Sequence, residues 1–202
     1  MSQASYRKQY INQDQSNIYR LNTGDIMINY QTTYNRYVVV EGVLIMYKCF
    51  TNGEKFCVGI IGKGYTMFPK KERHQQYYYI YQLEALKLTY ILSMSEKKSY
   101  SYLCTNQQYK YYYNVVDIII HKTMRQRIVQ LLLTLCELTG VPKQSCKYML
   151  LEIALPLSTI ATIVCSHRNT VSKIMIELKN EKRILYTRNY IIVYNTILTT
   201  CS

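Results

Sequence analysis

Apolar positions change their spacing near the middle of the chain. From Tyr19 to about Leu92 they come in short runs broken by glycine-containing polar turns. Leu21–Tyr30 places a turn at Thr23, Gly24 and Asp25 before a short strand, and Tyr37–Val40 ends at Glu41-Gly42. Val43–Phe50 and Phe56–Ile61 read as two strands joined by Thr51-Asn52-Gly53-Glu54, where Asn-Gly suits the paired left-handed residues of a type I′ hairpin turn. The second of them stops at Gly62, Lys63 and Gly64, and further strands are predicted at Tyr77–Tyr81 and Leu86–Leu92. Short strands with turn signals at intervals of roughly eight to twelve residues indicate an all-β roll or barrel.

From about Asn106 the spacing becomes helical. Tyr109, Tyr112, Tyr113, Val116, Ile119 and Ile120 share one face of a helix. A longer helix is predicted over His121–Thr139, with Met124, Ile128, Leu131, Leu132 and Leu135 inward and Gly140, Val141 and Pro142 ending it. A loop and a short strand, Tyr148–Ile153, follow. Leu155–Lys182 then reads as two short helices with a tight break. The first carries Leu157, Ile160, Ala161 and Val164 on one side with Ser158 as its cap, and the second carries Val171, Ile174, Met175 and Leu178 with Ser166 before it. The first turns of the second helix hold donor-rich side chains at His167, Arg168, Asn169, Thr170, Ser172 and Lys173. That is the pattern of a helix-turn-helix whose second helix reads DNA. Ile184–Tyr186 and Tyr190–Tyr194 flank the basic turn Thr187-Arg188-Asn189, a two-stranded wing with Arg188 at its tip to meet phosphate. A helical hairpin with a merely solvated basic face is the competing reading. The short break and the absence of acid before Glu177 favour DNA.

The chain so divides into an amino-terminal segment 1–18, predicted to be loosely ordered, a roll at 19–95, a connecting region at 96–120 and a reader at 121–202. The fold class expected is α+β: a β-roll, a connecting dimerisation helix and a winged helix-turn-helix. Such a helix could pair with its twin and present two reading helices to half-sites one DNA turn, about 34 Å, apart. Simple packing of that helix on the roll is the alternative.

Charge supports a polyanionic partner. Of 202 residues 25 are basic and 12 acidic, a net charge of +13, and the smaller carboxy-terminal part, from His121 on, holds 11 of the basic and only 4 of the acidic ones. Seven cysteines, Cys49, Cys57, Cys104, Cys136, Cys146, Cys165 and Cys201, form no CxxC pair and are expected to be reduced thiols. No long apolar run predicts a membrane span, and the polar amino terminus lacks the look of a secretory leader. Gly62 and Gly64 could cradle a phosphate, but turns needing positive φ are the better reading, since no helix start follows. The histidines, His74, His121 and His167, are too dispersed for a metal motif, and no carboxylate pair or nucleophile elbow appears, so an enzyme is not expected.

Several segments resemble a known family. Gly24-Asp25, Glu41-Gly42, NGEKF from Asn52 to Phe56, IIGKGYTMF from Ile60 to Phe68 and LPLSTIATIVCSHRNTVSKIMIELKNEKRI from Leu155 are similar to the CRP/FNR family of transcription regulators. HKTMRQRIVQLLLTLCELTGVP, from His121 to Pro142, looks like the subgroup formed by the global nitrogen regulator of cyanobacteria and its counterpart encoded in red algal plastids.

The resemblance implies a DNA-binding homodimer on a palindromic operator, an activator touching RNA polymerase, in a plastid stroma if algal or otherwise a bacterial cytoplasm. It makes Arg168 the principal base-reading residue, Thr170 a phosphate contact and Val171 a packing residue. Asn169 stands where relatives have a glutamate or an apolar residue, and Lys173 where the nitrogen regulators have arginine, which loses the planar fork. YTMFPKKERHQQYYY lacks the family's FGE and arginine-serine pair, which argues against cyclic nucleotide binding. The subgroup implies 2-oxoglutarate as effector, held between the roll and the helices. Arg127 matches one of its arginines and Arg73, with Met67 and Phe68 nearby, is the candidate in the roll. The other arginine position falls near Tyr79, so an effector-independent protein that uses the roll only as a scaffold is the alternative.

Overall fold

The computed structural model describes residues 17–29, 35–67, 79–95, 110–143 and 147–198. The segment 1–16, Phe68, Arg73, His74 and Tyr109 lie outside the described residues, as do the side chains of Met67, Tyr112 and Tyr113. Two four-stranded antiparallel sheets form the roll. One runs β2(Ile26–Asn29)-β7(Tyr79–Ala85)-β4(Leu44–Phe50)-β5(Lys55–Ile61), the other β1(Asn17–Leu21)-β8(Thr89–Ser95)-β3(Asn35–Glu41)-β6(Thr66–Met67).

Alternation along β4 explains how this half is built. Leu44 and Met46 point into the roll with Ile61, Leu83, Ala85, Val39 and Ile91, while Val43, Ile45 and Tyr47 point outward. The outer face is also apolar because helices cover it. It joins Val115 and Ile118 of α1 (Lys110–Ile119), Ile128, Leu131, Leu132 and Leu135 of α2 (Met124–Thr139) and the core of the reader in one continuous buried cluster. Each fully buried Leu or Ile there contributes about 1.5–3 kcal/mol relative to exposure.

Three turns depart from the expected chemistry. Asn52 does not adopt positive φ; only Gly53 does, at +87°, with its N–H donating to Phe50 O at 3.0 Å and Phe50 N–H donating to Glu54 O at 2.8 Å. The loop is therefore a three-residue turn closed by one left-handed glycine, not type I′. The seventh and eighth strands also run later than predicted, because the chain reverses at Leu86-Lys87-Leu88 without glycine or proline. Burial of Leu86 and its N–H bond to Val43 O at 3.0 Å hold that reversal. Gly62 has no positive φ, unlike Gly64; instead a Cβ there would stand 2.8 Å from Leu138 Cδ2, so glycine lets the end of α2 approach the roll.

The helix expected from His121 starts at Met124. Thr123 caps it in a box with Gln126, each side chain bonding the other's backbone N–H, at 3.2 and 3.4 Å. After Gly140, β9(Val141–Lys143) and β10(Tyr148–Leu151) form a third sheet with β12(Ile191–Tyr194) and β11(Ile184–Tyr186), in the order β11-β12-β10-β9. Among the described side chains of α1, Val115 and Ile118 are buried, one step round from the predicted stripe. Val116 and Ile120, which belong to that stripe, are exposed at 48% and 73%.

Candidate nucleic-acid interface

Two helices, α3(Leu157–Ile163) and α4(Arg168–Asn180), pack on each other with a tight turn between them, α3 against β5 of the roll and α4 against β11 of the third sheet. The turn is a helix C-cap that launches the next helix. Ser166 N–H donates to Ala161 O at 2.9 Å and Cys165 N–H to Thr162 O at 3.4 Å, which puts Cys165 in the left-handed position with φ +54°. This corrects the assignment of Ser166 as N-cap. Its backbone closes α3, so His167 precedes α4 and makes no side-chain cap bond. Ser158 does not cap α3 either: it lies within the helix, and its carbonyl accepts from Thr162 Oγ1 at 3.1 Å.

Val171, Met175 and Leu178 bury one face of α4, with Ile174 half-buried beside them. His167, Arg168, Asn169, Thr170 and Lys173 are exposed, Ser166 and Ser172 half-buried. Asn169, Ser172, Lys173 and Ile176 follow one another at offsets of three and four, so they share a face. Ile176, 55% exposed, was missed by the sequence reading. It stands outside the core stripe, where an apolar side chain can meet a thymine methyl.

The acids of this helix are drawn off its donor-rich face. Glu177 and Glu181 both pair with Arg125 of α2, the former at 3.7 Å, and Glu181 also pairs with Arg183 at 3.0 Å. The bond from Arg125 holds the Glu181 carboxyl below its ordinary pKa. Among the described residues no carboxylate pairs with Arg168 or Lys173. The start of α4 therefore offers uncompensated cations and helix N–H groups, the combination that attracts phosphate.

The second helix end repeats the device. Arg183 N–H donates to Leu178 O and Lys182 N–H to Lys179 O, both at 3.0 Å, with Lys182 at φ +56°. The wing follows at once. Thr187 and Tyr190 close its turn, through Thr187 N–H to Tyr190 O at 3.0 Å and Thr187 Oγ1 to the same oxygen at 2.7 Å, leaving Arg188 exposed at the tip. Tyr186 Oη donates to Leu155 O at 2.8 Å and ties the wing to the entry of α3.

Of the candidate effector residues only Arg127 has a described side chain. Arg127 Nε donates to His121 O at 2.9 Å and Nη1 to Val164 O at 3.3 Å, so its guanidinium sits between the α1–α2 joint and the helix-turn-helix turn. Met67 is described only as backbone of β6, and Arg73 and Phe68 not at all. Position 79 is a tyrosine facing Lys48, whose Nζ lies 4.2 Å from the ring centroid. No group of three His, Cys, Asp or Glu among the described residues could hold a metal ion, and no described helix is long and apolar enough to cross a membrane.

A β-roll, a connecting helix packed on it and a winged helix-turn-helix define the architecture of CRP/FNR-type transcription regulators, and the chain has that fold. Solved structures bear this out. TTHB099, a CRP-family transcriptional regulator of Thermus thermophilus, matches with a TM-score of 0.70 and 15% identity over 87% of this chain and 91% of its own. TTHA1359, a CRP/FNR-family regulator from the same organism, gives 0.66 and 16% over 91% and 97%. FixK2 of Bradyrhizobium japonicum gives 0.66 and 16% over 91% and 94%. In sequence the chain is similar to ycf28 of Porphyra purpurea, named as a proposed HTH-type transcriptional regulator, with 25% identity over 94% of this chain and 84% of that protein. No protein-family model matches the chain. The ycf28 protein, TTHB099 and TTHA1359 are named as transcriptional regulators and not as enzymes.

Proposed function

We propose that this chain is a dimeric, sequence-specific DNA-binding transcription regulator that reads a palindromic operator with Arg168, Asn169, Ser172 and Lys173. His167 and Thr170, with Ser166 and Arg188, meet the flanking phosphates. The observation that carries this reading is the exposed Arg168, unpaired among the described residues, in the first turn of a helix whose acids pair with arginines elsewhere. A bidentate arginine–guanine contact there discriminates by about 1–3 kcal/mol. Exposed Val116 of α1 and Ile120, just after its end, support dimerisation through that helix, since they leave an apolar edge beside the face packed on the roll. Likeness to ycf28 supports transcriptional control, and with the sequence resemblance it supports a plastid setting, an activator role through RNA polymerase and a link to nitrogen status.

A second reading, an effector-independent DNA-binding protein, is favoured by the Arg127 contacts. Main-chain carbonyls already engage its Nε and Nη1, which leaves a carboxylate only the remaining N–H groups, mainly those of Nη2. Selection of binding sites from random DNA, with and without 2-oxoglutarate, tests both. The first reading predicts an inverted repeat recovered more strongly with the dicarboxylate. The same repeat recovered equally in both arms supports the second, and the absence of any enriched sequence refutes both.

A further inference from the structure

The recognition helix is held near both of its ends by arginines of a single helical turn. Arg125 and Arg127 stand in the first turn of α2, directly after the 120–123 joint with α1. Arg125 pairs with Glu177 and Glu181, which lie at the far end of α4. Arg127 reaches the near end. It donates to His121 O, inside the joint, and to Val164 O, the carbonyl on which α3 ends.

Val164 is buried and occupies the C-cap of α3, so its carbonyl has no partner within that helix. The backbone N–H groups of Cys165 and Ser166 are already used on Thr162 and Ala161. The guanidinium supplies the missing donor. Because it is planar and rigid, it also fixes the direction between its two carbonyls, which a lysine ammonium on a flexible stem does not. One turn of α2 thus connects the joint below α1, the turn before α4 and the end of α4. Arg127 is half-buried, and it bonds main-chain carbonyls of the joint and of the turn.

We propose that Arg127, assisted by Arg125, is a positioning residue: it sets the angle at which α4 is presented relative to α1, and through it the half-site spacing that the dimer accepts. The inference rests on the dimeric reading above and goes beyond it, because it assigns spacing selectivity to residues that touch no base. Two half-sites separated by one helical turn must be met by two reading helices at once. An error in the mounting angle is then felt on the full operator and not on a single half-site.

The test measures binding by fluorescence anisotropy to duplexes carrying one half-site, or two whose separation is varied in single base-pair steps. The full chain is compared with Arg127→Ala, Arg127→Lys and Glu181→Gln. The unaltered chain is expected to lose about tenfold in affinity for each base pair of misplacement, equivalent to about 1.4 kcal/mol. Arg127→Ala is expected to keep its half-site affinity within about threefold while its spacing preference flattens to below about threefold, with Arg127→Lys between the two. Glu181→Gln, a surface change, should flatten the profile in part, and together with Arg127→Lys it carries the comparison if Arg127→Ala fails to fold. An unchanged spacing profile in the variants, or an equal loss on half-site and full site, overturns the inference. A flat profile in the unaltered chain overturns the dimeric reading itself, and the inference with it.

Discussion

Arg168 and Lys173 keep their charge toward solvent because Glu177 and Glu181, about one and two turns beyond Lys173 and further still from Arg168, pair with Arg125 of α2. The spacing of the chain made the donor-rich turn legible, since apolar residues at 171, 174, 175 and 178 leave only one face for the polar ones. The pairing that clears that face was not legible: Arg125 is more than fifty positions away from its partners, a separation that no local pattern reports. Cysteine chemistry is a second matter decided at single residues. Burial pushes the Cys57 thiol up to about 12, partly offset by a backbone hydrogen bond with Gly59. A thiol whose folded pKa lies above its unfolded value of 9.0 contributes stability that is fully present below pH 9 and is lost as pH rises toward 12. The expected slope is about 1.4 kcal/mol per pH unit across that window. Urea unfolding of Cys57→Ala beside the unaltered chain at pH 8, 9.5 and 10.5 checks this. The gap between the two proteins should close with rising pH, and a constant gap would mean that the thiol does not titrate on unfolding.

At the level of elements, two helix ends place ordinary residues where the left-handed conformation favours glycine, Cys165 after α3 and Lys182 after α4. Neither is visible as a stop signal in the sequence, and this is why Ser166 looked like a cap: glycine normally marks such an end, and here the mark is absent. Replacing either residue with glycine removes the strain of a Cβ at positive φ but loosens the unfolded chain, two opposing effects. Lys182→Gly is expected to raise stability by about 0.5–1 kcal/mol, as strain relief in the left-handed region exceeds the entropy lost. Thermal unfolding reads this directly, and a drop in Tm would show that the lysine side chain contributes more than its backbone costs. The early strands were legible because glycine and polar turns bound them. Residues 86–88 were not, since that reversal is fixed by burial of Leu86 and a bond to the neighbouring strand, a tertiary cause that local composition cannot carry.

In the whole molecule, the roll and the reader share one apolar core through the outer face of β4 and β5, against which α1 and α3 lie. The reader is thus mounted on the roll and not tethered to it. A change in the roll that shifts this face has a packed path to the turn before α4. The succession of roll, connecting helix and winged reader was legible from periodicity, but the docking was not, because Val43, Ile45 and Tyr47 read equally well as residues of the roll's own interior. If Arg168 reads a base from this mounting, its loss must cost more on the operator than on other DNA. The most direct measurement compares Arg168→Ala with the unaltered chain on the selected operator and on unrelated DNA at one fixed salt concentration, since non-specific affinity depends steeply on salt. A loss of at least about tenfold on the operator per half-site, and at most about threefold on unrelated DNA, is expected. An equal loss on both would contradict base reading, and would reduce Arg168 to a phosphate contact.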